Sequence, residues 1–157
     1  MAMSDEAKAS LKGLGSMDGK EHLLPVSIYY EDTDLSGMVY HANYLRYMER
    51  GRTEFFRLVG ISKMAGLEEE EPTAWTIRAI EVKYHRPARL DDVICVRTRL
   101  VGLSGARMHA IQRVMRGETL LVSGRIEACI TTLTGRPRRL PKIVQETLAP
   151  FLTAEET

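Results

Sequence analysis

Residues 29–57 read YYEDTDLSGMVYHANYLRYMERGRTEFFR, and this stretch decides the fold. Its first part, Glu31 to Gly37, is made of acids, Thr, Ser and Gly, the chemistry of a loop. Its second part changes period. Tyr44, Tyr47, Met48, Gly51 and Phe55, continued by Leu58 and Val59, recur at helical spacing and form one apolar face. Arg46, Glu49, Arg50, Thr53, Glu54 and Arg57 fall mostly on the other. The spacing predicts one long helix over residues 41–59, stopped at Gly60. Arg50 and Glu54 are placed as an i,i+4 ion pair on its wet side.

Working outward, residues 24–30 (LPVSIYY) are β-branched and aromatic and predict a strand. Beyond the helix, residues 62–67 read as a short helical turn, and residues 68–71 as a solvated acidic loop ended by Pro72. The second half differs in kind. Residues 75–84, 92–102, 107–116 and 120–132 each read as strands. In the second of these, Ile94, Val96, Thr98 and Leu100 alternate with Val93, Cys95, Arg97 and Arg99. The turns around Ser104-Gly105 and Gly117-Glu118 are short, which predicts hairpins and antiparallel pairing. After the basic segment Arg136-Pro137-Arg138-Arg139, Pro141 opens a final helix predicted to run to residue 152. Residues 1–21 are expected to be a flexible leader, and residues 22–157 a single domain.

One helix and five long strands give an α+β layer: an antiparallel sheet with one face on the helix. A single helix does not cover a whole five-stranded sheet, so an edge or face is expected to meet another subunit.

Composition narrows the function classes. A chain of 157 residues with net charge +1 carries no overall basic field for nucleic acid. Of its 22 basic residues only Lys8, Lys12, Lys20, Lys63, Lys83 and Lys142 are lysine. Arginine's rigid fork suits phosphate and carboxylate, so the skew admits an anionic ligand as well as plain compositional bias. Cys95 and Cys129 lie in apolar strand-like runs without CxxC spacing. They read as buried thiols in a reducing, cytoplasmic setting, with no disulfide framework and no metal site. No stretch is apolar enough to span a membrane, and the first residues lack the apolar core of a signal peptide.

The densest chemistry is again in the opening stretch. Acids precede a helix start, where unpaired amides and a positive partial charge gather. Such a site can stabilise an oxyanion while a carboxylate attacks a carbonyl or activates water. Spacing alone leaves a second use open, since Asp and Ser before a helix also cap it. His41 is equally open between base, polarising donor and helix-start residue.

The run from Tyr29 to Arg57 closely resembles the YbgC type of acyl-CoA thioesterase, and more broadly the 4-hydroxybenzoyl-CoA thioesterase branch of the hot-dog fold. VKYHRPARLDDVICVRT (Val82 to Thr98) and GRPRRLP (Gly135 to Pro141) resemble the same family in the same order. The resemblance implies a five-stranded antiparallel sheet wrapped around one central helix, paired into homodimers and often homotetramers. It implies hydrolysis of acyl-CoA to free acid and coenzyme A, without a cofactor. By the family pattern Asp34 is the catalytic carboxylate; His41 is assigned a supporting role beside it, positioning water or substrate. Val39, Tyr40, Asn43 and Tyr44 lie at the helix start, where a backbone amide, placed at His41, polarises the thioester carbonyl. Arg86, Arg136, Arg138 and Arg139 are then candidates for the phosphates of coenzyme A, by charge and position. Acyl carrier protein is an open alternative substrate carrier. A hot-dog hydratase or dehydratase fits less well, because Asp34 and His41 stand seven positions apart where that motif has five. An acyl-carrier-binding or cell-envelope scaffold is the remaining alternative. Met108, Met115, Trp75, Phe55 and Phe56 suit either a core or an acyl tunnel.

Overall fold

The structure, a computed structural model, describes residues 2, 4, 13–61 and 71–155. The short helical turn expected over residues 62–67 lies outside the described residues, as does nearly all of the acidic loop.

Among the described residues seven strands form one antiparallel sheet: β1 (Ser16–Asp18), β2 (Glu21–Ser27), β3 (Thr73–Tyr84), β4 (Val93–Ser104), β5 (Arg107–Arg116), β6 (Thr119–Thr132) and β7 (Pro137–Arg138). Their spatial order is β1-β2-β4-β5-β6-β3, with β7 on β6. The expected sheet had five strands. The five long ones answer to those expected, except that β2 runs three residues earlier than residues 24–30 because Tyr30 already enters a 3-10 turn, and the two added strands are short. Ser16–Asp18 pairs with β2 inside the segment expected to be a leader. Pro137–Arg138 pairs with Ile130 and Thr131, just beyond the start of β5. Gly105 and Gly117 take φ of 55° and 59° in two-residue loops, as the β4–β5 and β5–β6 hairpins require.

Helix α1 (Asn43–Leu58) lies across the inner face of the sheet, and this is the hot-dog arrangement that the resemblance implied. It begins two residues later than the spacing predicted. Its buried face is Tyr44, Tyr47, Met48, Gly51, Arg52, Phe55 and Phe56. Ile94, Val96, Thr98 and Leu100 from β4 meet it, with Met108, Ala110, Gln112 and Val114 from β5 and Val122, Ile126 and Ala128 from β6. The wet side is wired differently from expectation. Glu54 pairs with Arg57 at 2.8 Å, while the Arg50 guanidinium sits 5.7 Å over the Tyr47 ring. The C-terminal segment forms α2 (Lys142–Leu148) and a 3-10 turn (Ala149–Phe151) rather than one helix to residue 152. Cys95 and Cys129 are half-buried free thiols rather than core residues, because their strand positions alternate with the buried set.

At Gly51 helix and sheet approach closely. A Cβ there would lie 2.7 Å from Val96 Cγ1 and 3.1 Å from the Gln112 amide nitrogen. Helix propensity alone makes Gly→Ala stabilising by about 1 kcal/mol. Overpacking a rigid contact costs about 1–3 kcal/mol. Gly51→Ala is therefore expected to destabilise by about 1–2 kcal/mol, read as a lower urea midpoint. A raised midpoint would mean that the helix can lift off the sheet.

β3 ends the sheet path, and among the described residues no strand covers its outer edge. It is long and exposes Ile77, Ile80 and Tyr84. Bare apolar edges of this length invite pairing with another strand.

Candidate active site

Between β2 and α1 the chain folds into a tight, backbone-bonded loop. A 3-10 turn (Tyr30–Asp32) is closed by the Tyr29 amide donating to Asp32 Oδ2 at 2.8 Å. Thr33 and Val39 then bridge, pinching off residues 34–38. The Asp34 amide donates to the Met38 carbonyl (2.9 Å) and the Gly37 amide to the Asp34 carbonyl (3.1 Å). Gly37, at φ 76°, makes the turn possible. The loop is sewn to the segment before β4 through the Val39 amide, which donates to the Ala88 carbonyl at 2.9 Å, and a Met38–Arg89 bridge.

Asp34 stands exposed on this loop. The Ser36 hydroxyl and the Ser36 amide (2.8 Å) both donate to its Oδ1. The Ser36 hydroxyl first, then the Ser36 amide, hold the Asp34 carboxyl below the usual carboxylate range, with the nearby His41 acting in the same direction. Asp34 is thus anionic at neutral pH, with one oxygen anchored.

The helix start supplies the opposite polarity. The Tyr40 amide is spent on the Asp32 carbonyl (3.0 Å), and the Val39 amide on Ala88. Among the described residues the His41 and Ala42 amides meet no acceptor. The Tyr84 hydroxyl donates to the His41 carbonyl at 2.9 Å, fixing the tilt of that peptide. The His41 ring lies 4.5 Å from Tyr40 and 6.3 Å, edge-on, from Tyr84. Asp34, Met38, Val39, His41, Tyr44, Tyr84, His85, Arg86 and Pro87 line one cavity of about 350 Å³.

Of the expected site residues, Tyr40 adjoins the cavity without lining it, its ring 4.5 Å from that of His41, and the others divide into three groups. Asp34, His41, Val39, Tyr44 and Arg86 come together in this cavity. Asn43 and Tyr44 also brace it: Asn43 Nδ2 donates to the Asp32 carbonyl (2.9 Å), and the buried Tyr44 hydroxyl accepts the Ala88 amide (2.8 Å). Arg136, Arg138 and Arg139 lie elsewhere. Tyr84 pairs with Val122 and Arg138 with Ile130, which puts them about 26 Å apart along β6. Arg138 is moreover bonded to Glu71 at 2.5 Å. One chain therefore does not join these arginines to Asp34. Ser36 and Tyr84, along with the lining residues Met38, His85 and Pro87, are site residues that sequence reasoning missed. The Asp-Leu-Ser-Gly spacing of an Asx turn signals the first, whereas nothing local signals a partner 43 residues away. Among the described residues no group of three or more His, Cys, Asp or Glu is placed to hold a metal ion.

An ionised carboxylate beside acceptor-free amides at a helix start is the equipment for attack on an activated carbonyl. Ser36→Ala removes the first cause of the depressed Asp34 pKa. With Asp34 as the catalytic carboxylate, the acidic limb of kcat/KM should move to higher pH, because the protonated form builds up sooner as pH falls. A pH–rate profile reads this, and an unmoved limb would sever Asp34 from catalysis.

Comparison with known proteins agrees with this geometry. The Thioesterase-like superfamily profile matches residues 29–151. The acyl-CoA thioester hydrolase YbgC of Escherichia coli is 38% identical over 122 residues, which cover 76% of this chain and 90% of that one. A probable thioesterase from Bartonella henselae, known by crystal structure, is 39% identical, covers 77% of this chain and 99% of its own, and superposes with a TM-score of 0.73. A Thermus thermophilus thioesterase crystallised with coenzyme A and Zn is 28% identical, with 80% and 95% coverage and a TM-score of 0.67. With a profile match over most of its length and relatives of this identity, the chain belongs to the thioesterase-like superfamily.

Proposed function

We propose that this protein hydrolyses acyl-coenzyme A thioesters to the free acid and coenzyme A. The observation that carries the reading is the Asp34 carboxylate, anchored through one oxygen and sharing a cavity with His41 at the helix start. The second oxygen acts on the thioester carbonyl, by direct attack or by activating water, while the His41 amide stabilises the developing oxyanion. The thiolate of coenzyme A leaves without strong acid help. The His41 ring, held between Tyr40 and Tyr84, positions water or substrate. Arg86 at the cavity rim is assigned to a coenzyme A phosphate. Arg136, Arg138 and Arg139 serve the same ligand only from a neighbouring subunit, in line with the 26 Å separation above.

We further propose that two copies pair through the β3 edges as a homodimer, which covers Ile77 and Ile80, and that dimers associate into tetramers. We assign the protein to the cytoplasm, where acyl-CoA is made and used. No helix among the described residues is long and apolar enough to cross a membrane.

Thiol release from a panel of acyl-CoAs, with one acyl carrier protein thioester included, tests the function. Release from at least one member supports it. Silence across the panel, with folded protein, overturns it. Hydration of an enoyl-CoA without thiol release would assign a different reaction.

A further inference from the structure

A second cavity of about 320 Å³ opens beside the middle of α1, toward β3. Leu45, Phe56, Trp75, Ile77, Met108 and Ala128 give it apolar walls. Among the described residues its charged lining is Arg46, Glu49 and Arg52, all from the helix. Arg46 and Glu49 are exposed, but Arg52 is buried, with 8% of its surface accessible. Arg52 stands about 16 Å along the helix from His41, so this is not the Asp34 cavity.

The surroundings of Arg52 are unusual for a buried cation. Its Nη1 donates to Gln112 Oε1 at 2.8 Å, a neutral acceptor. Gln112 is itself committed: its Nε2 donates to the Met48 carbonyl (2.8 Å) and to Thr98 Oγ1 (2.9 Å). Among the described residues no carboxylate forms an ion pair with Arg52. Burial works against its charge, and the field of Glu49 only partly offsets this. A guanidinium carries five donors in a planar fork, and it matches a carboxylate two bonds at a time. Here, among the described residues, that fork meets the single side-chain acceptor Gln112, and Arg52 lines the cavity.

We propose that this cavity binds an amphiphilic monocarboxylate, its carboxylate on Arg52 and its hydrocarbon body against Phe56, Trp75 and Met108. Among the described lining residues Arg52 is the buried charge, while Arg46 and Glu49 are exposed to solvent. A bare phosphate would gain nothing from apolar walls, and a neutral hydrocarbon would leave the fork unpaired. Under the hydrolase reading, the ligand is either the free acid that the reaction releases or an acyl group ending in a second carboxylate. The source of the ligand rests on that reading, while the binding itself does not.

Trp75 is the one tryptophan of the chain and lines the cavity, so its fluorescence reports occupancy directly. Octanoate is the probe and octanol its neutral control. Octanoate should give a saturable change and bind at least about tenfold more tightly than octanol. Arg52→Lys keeps the charge but loses the fork, and should weaken octanoate at least about tenfold. Leu45→Glu places a competing carboxylate on a partly exposed wall residue, where folding is not at risk, and should do the same with an unchanged melting temperature. Equal binding of octanol and octanoate, or octanoate binding that survives both substitutions, overturns the proposal. The titration needs no turnover, so its failure and that of the thioester panel are separately visible. Kinetics then identify the source. An Arg52-dependent preference for octanedioyl-CoA over octanoyl-CoA assigns the acyl end, and inhibition by octanoate without that preference assigns the product acid.

Discussion

Asp34→Asn should leave a folded protein whose kcat on its best acyl-CoA is lower by at least about a hundredfold, or about 2.7 kcal/mol of transition-state stabilisation. The two halves of this expectation have separate grounds. Asn keeps the shape and an oxygen that accepts the Ser36 amide and hydroxyl, so the turn at residues 34–38 survives. The side chain is exposed, and substitutions at such positions usually stay within about 0.5 kcal/mol in stability. What Asn lacks is the anion. It neither attacks a carbonyl nor takes a proton from water, so both routes open to Asp34 close together. Matched circular dichroism and melting curves with the activity gone would place the chemistry at Asp34. Near-full activity would remove Asp34 from the mechanism and turn attention to His41.

Phe55→Ala should destabilise the fold by about 3–5 kcal/mol, a large share of the 5–15 kcal/mol that holds a typical domain together. Phe55 is wholly buried. Its ring centroid lies 5.4 Å from that of His22, 6.1 Å from Phe56 and 5.6 Å from Phe151. It therefore joins three distant parts of the chain: β2, the helix and the turn after α2. Truncation leaves a cavity and also separates the C-terminal turn from the helix. Phe55→Leu, which restores most of the volume, should lose only about 1–2 kcal/mol. Denaturant midpoints at constant m-value measure both. Equal losses for Ala and Leu would mean that ring geometry, not volume, sets the contact.

The long elements were legible because their side chains keep period. The alternation of Ile94, Val96, Thr98 and Leu100 recurs as the buried side of β4, and the predicted helix face is largely the observed one. Short elements carry no period. Ser16–Asp18 and Pro137–Arg138 are strands only because a neighbouring strand offers them a ladder, and such partners are not written locally. Arg52 escaped for a related reason. An arginine on a helix reads as a wet-side residue, and only the facing Gln112 reveals that it turns inward. Asp34 and His41 were legible as a run with the right neighbours. The arginines were not, because charge in a sequence does not say at which end of a strand it will stand, and Arg86 and Arg138 stand at opposite ends.

The loop that carries Asp34 is framed by main-chain bonds: Asp34 to Met38, Gly37 to Asp34, Val39 to Ala88 and Tyr40 to Asp32. Peptide groups are common to every residue type, so this frame is indifferent to most side chains mounted on it. Leu35, fully exposed beside the acid, can be exchanged for almost anything without moving it. Gly37, at its positive φ, cannot. Evolution and protein engineers alike thus inherit a rim that can be redecorated for new acyl groups while the Asp34 carboxylate keeps its place.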